Sequence, residues 1–215
     1  MSLINSVIIG YSDNVIYYDV NPKTQELSTP KNLTMKNLKN IFRFLNKEAV
    51  SLFKFKDIIP ENVLHFNELT GTIIFYTKPK KQPFLFKKND FKNAIYRVPH
   101  LLWKYEPGKV WVYALKSKPK NVDAVLFNAP FMNVYPDGSV CTGTIEFDEE
   151  LYCFDDIMKE VENKFFSSYF THTNNEDLLQ MNYATFLKEY ANTQTMNYSK
   201  LLVESKQTLK NLLWK

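Results

Sequence analysis

The sequence is short of the residues on which several function classes depend. Only five glycines occur in 215 residues, and neither GxGxxG nor GxxxxGK[ST] is present, which excludes the usual Gly-rich phosphate loops. Cys141 and Cys153 are the two cysteines. They are too few for a disulfide scaffold in a chain of this size, so both are expected as free thiols in a reducing cytoplasm. Their C-x11-C spacing, without paired His or Cys, is not a zinc pattern, and neither a metal nor an organic cofactor is expected. Arginine occurs only at Arg43 and Arg97. Arginine is the usual residue for bidentate base and phosphate readout, so its scarcity argues against sequence-specific DNA recognition. The net charge of +4 permits nucleic-acid contact without arguing for it. No apolar run reaches the roughly 18 residues a membrane helix needs. The first twenty residues lack a basic n-region and contain Asp13 and Asp19, so they are read as a hairpin, not a signal peptide.

What is present is bulk. Apolar residues make up 45 % and aromatic residues 15 % of the chain, the balance of a folded protein with a large-side-chain core. Ser6–Tyr11 and Val15–Val20 read as strands around a Ser12-Asp13-Asn14 turn. Thr34 can cap a helix from Met35 to about Asn46, whose apolar residues recur at three- and four-residue steps. Thr72–Tyr76 and Pro83–Phe86 flank KPKKQP and predict two strands joined by a basic turn. That turn reads either as a solvated tip or as a docking surface for an acidic partner. Val110–Leu115 and Ala124–Phe127 are further strands. Phe154, Ile157, Val161 and Phe165 mark one face of a helix capped near Asp155. Tyr183 to Tyr190 predicts a second helix. Ser199 to Trp214 predicts a third, with Leu202, Leu209 and Leu213 on one stripe. Strands followed by helices give an α+β class. Residues 1–60 are expected as an N-terminal hairpin and helix packed on a main domain at 61–215.

Between the last of these strands and the first of these helices lies a loop rich in Asn, Pro, Asp and Gly. Pro136-Asp137-Gly138 is a tight-turn signal that folds Asn133 back toward Cys141. Val140 offers the cysteine an apolar anchor. A thiol beside an amide is a workable pair of nucleophile and oxyanion donor. Physics alone leaves Cys141 open between that role and a small buried hydrophobe. Asn133 is likewise open between hydrogen-bonding an oxyanion and satisfying turn backbone. His172, in FTHTN, is a spare base near neutrality or a helix-end histidine bonded to backbone.

The run Asn133-Val134-Tyr135-Pro136-Asp137-Gly138-Ser139-Val140-Cys141 resembles the active-site segment of ubiquitin-conjugating (UBC) enzymes, H-P-N-x-x-x-x-G-x-[IV]-C. Asn133, Gly138, Val140 and Cys141 stand at the family's positions, and Phe131-Met132 stand where it has His-Pro. VWVYAL, APFMNVYPDGSVC and FFSSYFTHTN further resemble protein B of the bacterial PRTRC cassettes, a prokaryotic UBC-like family. The resemblance implies an antiparallel β-meander, an active-site loop and C-terminal helices, with the N-terminal hairpin and helix as an extension. It implies a thioester of a ubiquitin-like protein on Cys141, delivered by a ThiF-like activating enzyme and passed to an acceptor. A JAB-domain peptidase and a plasmid or other mobile element complete the implied setting. A catalytically inactive UBC-like binding module is the alternative.

Overall fold

Side chains in TIIFYT and VWVYAL are apolar without alternation, the pattern of strands covered on both faces. The computed structural model describes residues 6–11, 14–19, 21, 23–24, 26–32, 59–68, 70–87, 91–143, 145, 147, 153–171, 174 and 177–213. The chain divides into two units, Met1–Val50 and Ser51–Lys215. In the first, β1 (Ser6–Tyr11), β2 (Asn14–Asp19) and β3 (Lys31–Asn32) form an antiparallel sheet in the order β1-β2-β3. The helix expected from Met35 to Asn46 lies outside the described residues.

The second unit is mixed α+β around a six-stranded antiparallel sheet. Its strands are β4 (Val63–Asn67), β5 (Thr72–Thr77), β8 (His100–Glu106), β9 (Lys109–Leu115), β10 (Val125–Asn128) and β12 (Glu204–Thr208), in the order β12-β10-β9-β8-β5-β4. Successive side chains of a strand point to opposite faces. One face carries Ile73, Phe75, Leu101, Trp103, Val112 and Ala114 into the main core. There they meet α1 (Phe154–Ser167), which turns Phe154, Ile157, Val161 and Phe165 inward. The Trp103 and Phe165 rings pack edge to face with centroids 5.3 Å apart. The other face carries Ile74, Tyr76, Leu102, Tyr113 and Leu115, and Leu209 and Leu212 of the short helix α3 (Leu209–Leu213) pack in the same cluster. The predicted helix α2 (Tyr183–Tyr190) is present, and the Asn182 side chain caps it by accepting from Thr185 N at 3.1 Å.

Three local expectations are corrected. β5 does not form a hairpin with β6 (Lys81–Phe86). β5 lies between β4 and β8, whereas β6 pairs with β7 (Ala94–Arg97) and with β11 (Tyr169–Phe170) in a separate sheet. Residues 72–76 are buried on both faces, so β5 belongs inside the large sheet, and Lys78-Pro79-Lys80 becomes a crossover between sheets. The C-terminal stretch is not one helix from Ser199. It is a 3-10 turn at Tyr198–Lys200, then β12, then α3. Pairing β12 with β10 satisfies backbone groups that would otherwise end the sheet open, and this outweighs a weak helical stripe. Helix α1 begins at Phe154 with Cys153 as its N-cap residue, which contributes no side-chain cap bond, so Asp155 lies inside the first turn. No described helix is long and apolar enough to cross a membrane.

Candidate active site

The site loop leaves β10 at Asn128 and is anchored at once. Phe131 is fully buried, its ring within 5.1 Å of the Phe165 ring and 5.5 Å of the Phe84 and Phe166 rings, centroid to centroid. The position where the UBC segment has histidine is thus an apolar peg in the core. Tyr183 donates its hydroxyl to the Pro130 carbonyl at 3.0 Å. Burial, then the neighbouring Tyr198 and Tyr96, hold that phenol well above its ordinary range, so it stays a donor.

The next residues form a small antiparallel hairpin. Cys141 N–H donates to Asn133 O at 2.8 Å, and Tyr135 N–H to Ser139 O at 2.9 Å, with Val134 and Val140 bridged between them. Gly138 N–H donates to Tyr135 O at 2.9 Å and closes the Pro136-Asp137 turn. The Asp137 carboxylate accepts from Ser139 N–H at 3.0 Å and from its hydroxyl at 2.6 Å, so it is turned into the hairpin tip. The hairpin is also stitched to β9. Val140 N–H donates to Val110 O at 2.9 Å, and Val112 N–H to Gly138 O at 2.8 Å. A rigid central strand therefore sets the position of the cysteine.

Two tyrosines complete the loop, and neither was assigned a role from sequence. Tyr113 is buried on β9 and donates its hydroxyl to the Asp137 carbonyl. Its ring lies so close under Gly138 that a Cβ there has no room, and Gly138 also sits at φ 80°. Burial, then the charge of Asp137, raise the Tyr113 phenol far above its ordinary value. Tyr135 stands on the same hairpin face as Cys141, one diagonal step away. It is 41 % exposed and shares that hairpin face with the Cys141 side chain. Hydrogen bonding with Cys141, then its charge, raise the Tyr135 phenol above its ordinary value. The signal for this placement is in the sequence: a three-residue loop, Pro136-Asp137-Gly138, sets 135 opposite 139 and so puts 135 and 141 on one face.

Cys141 is a half-buried free thiol, as is Cys153 at the start of α1. Asn133 is 6 % exposed. Its Nδ2 donates to Tyr169 O at 2.8 Å and its Oδ1 accepts from Thr171 N–H at 3.1 Å. The amide thereby ties the site hairpin to the chain leaving α1. Asn174 N–H adds a bond to Met132 O at 3.0 Å. His172 lies outside the described residues. A shallow cavity of about 350 Å³ borders the hairpin, lined by Gly108, Lys109, Trp111, Asp137, Ser139 and Thr142.

An antiparallel sheet feeding a rigid loop with a presented thiol, followed by helices, is compatible with the ubiquitin-conjugating class. The chain matches the model of Prokaryotic E2 family D over residues 37–210. That is most of the sequence, and the protein belongs to this family of prokaryotic UBC-like proteins. Nothing among curated proteins or solved structures matches it.

Proposed function

We propose that this protein is a ubiquitin-like-protein conjugating enzyme whose acyl carrier is Cys141. The observation that supports the reading most is the hairpin Asn133–Cys141, a family-type segment held on β9 with its thiol at the surface end. In the first step the Cys141 thiolate attacks the thioester carbonyl between the ubiquitin-like protein and a ThiF-like activating enzyme. The new S–C bond forms as the C–S bond to the activating enzyme breaks, and that enzyme's cysteine leaves as a thiolate. In the second step an acceptor nucleophile attacks the Cys141 thioester, loses its proton, and Cys141 departs as thiolate.

Within this scheme Tyr135 donates to the sulfur in both its free and departing forms. Asn133 acts as a positioning residue, because its amide already bonds Tyr169 and Thr171. His172 is proposed only as an accessory base. In this reading the β-meander, site loop and helices take the UBC arrangement, with residues 1–60 as an N-terminal extension. A JAB-domain peptidase from the same cassette would reverse the modification.

The test is incubation with the cognate ubiquitin-like protein, the activating enzyme and ATP. A reductant-sensitive adduct is expected on wild type, and Cys141→Ser should leave either a reductant-resistant ester or none. Absence of any adduct on wild type sinks the enzymatic reading. The commitment of the Asn133 amide favours one alternative, a UBC-like binding module. It requires partner binding unchanged by Cys141→Ala and a thiol inert to iodoacetamide in the folded protein.

A further inference from the structure

The end of the large sheet away from Cys141 gathers positive charge from segments far apart in sequence. Thr77 pairs with Leu101, and His100 pairs with Leu115. The exit of β5, the entry of β8 and the exit of β9 therefore coincide. Lys78 and Lys80 follow β5, and Lys116, Lys118 and Lys120 follow β9. β6 and β7 join them, with Lys81 directly opposite Arg97 in the antiparallel register. Like charges placed opposite each other in a sheet repel, a local cost the fold retains. Lys210 is drawn to the same end by its N–H bond to Val122 O at 2.9 Å.

The carboxylates at this end do not neutralise it. Glu61 pairs with Lys118, and Glu162 pairs with Lys80 at 2.6 Å. Asp123 is the remaining acid in the loop before β10. Lys78, Lys81, Arg97, Lys116 and Lys120 form no ion pair with a described residue. Among them stand exposed aliphatic side chains, Val122 at 41 % and Val125 at 44 %.

We infer that this lysine-rich end of the sheet is a docking surface for an acidic protein segment that also carries apolar side chains. Three features select a protein over a nucleic acid. Apart from Arg97 the charges are lysines, point charges without the planar fork that grips phosphate. The aromatic rings beneath them, Tyr76 under Lys118 and Phe127 under Lys116, are buried and offer no face for base stacking. Val122 and Val125 add exposed apolar surface beside Lys116, Lys120 and Lys210, which an amphipathic acidic segment covers and a phosphate backbone does not. β9 separates this surface from the hairpin by about five residues, roughly 16 Å at strand rise. A partner can sit here while Cys141 stays open. The inference does not depend on the thioester chemistry.

The experiment is fluorescence anisotropy on the full chain with three probes: an Asp/Glu-rich peptide containing leucines, the same acidic peptide with serine in place of leucine, and random duplex DNA. The leucine-containing peptide should bind at low salt and weaken about tenfold or more between low and physiological ionic strength. Combined Lys78→Glu, Lys116→Glu and Lys120→Glu should lower its affinity by about tenfold or more, with the thermal transition retained. Val122→Ser with Val125→Ser should weaken only the leucine-containing peptide. Charge reversal at Lys159 and Lys188, on the helices, should change nothing. No binding at low salt, unchanged binding by the triple variant, or DNA binding tighter than the peptide and lost in the same variant each overturns the proposal.

Discussion

The amide nitrogen of Cys141 lies 2.8 Å from the carbonyl oxygen of Asn133 and donates to it, while the Asn133 side chain reaches away to Tyr169 and Thr171. One residue thus holds the cysteine through its backbone and the post-helix segment through its side chain. Asn133→Ala leaves a carbonyl and an N–H without partners in a part-buried site, a loss of about 1–3 kcal/mol. A fall in melting temperature should accompany any fall in thioester formation. A rate loss with unchanged melting would make Asn133 an oxyanion donor instead.

Gly138 meets two demands at once, a left-handed backbone and the Tyr113 ring beneath it. The backbone demand alone costs a substituted residue about 1–2 kcal/mol. Gly138→Ala should therefore destabilise by more than that, and should also reduce Cys141 labelling specificity as the hairpin lifts. Denaturant unfolding measures the first effect. A loss no greater than a surface Gly→Ala, such as at Gly108 where a Cβ meets open space, would contradict the packing argument.

The coupling of Tyr135 to Cys141 has an optical readout. The thiolate raises the Tyr135 phenol, so Cys141→Ala should let Tyr135 ionise at lower pH than in wild type. The ultraviolet titration is read as the difference from the matched Tyr135→Phe protein. Identical Tyr135 transitions with and without the thiol would show that the pair does not form in solution.

His100 has a buried Nδ1 without a hydrogen-bond partner among the described residues, and burial, then the charge of Lys78, lower its pKa from the ordinary 6.5. The unfolded chain then binds a proton at higher pH than the folded one. The folded state is favoured fully above about pH 6.5 and loses that advantage as pH falls toward the lowered folded value. His100→Gln should flatten this part of the stability profile between neutral and mildly acid pH. A profile of unchanged slope would place the acid sensitivity elsewhere.

Local chemistry made some of this legible in the sequence. The Pro136-Asp137-Gly138 turn and the phase of Asn133 and Cys141 around it depend on neighbours within a few residues. So do the inward face of α1 and the Asn182-capped α2. The apolar runs of β5 and β9 likewise predict buried strands without reference to partners. Residues far apart in sequence decided the rest. The register that seats β5 between β4 and β8 turned KPK from a hairpin tip into a crossover. The open edge of β10 drew residues 204–208 out of a helix. Asn133 found its side-chain partners some 36 residues on, and Gly138 found the ring that excludes a Cβ 25 residues back on β9. A turn carries its instructions in its own dihedrals. A strand's partner and the residue beneath a loop are set by which distant surfaces must bury each other, and only the assembled sheet resolves that competition.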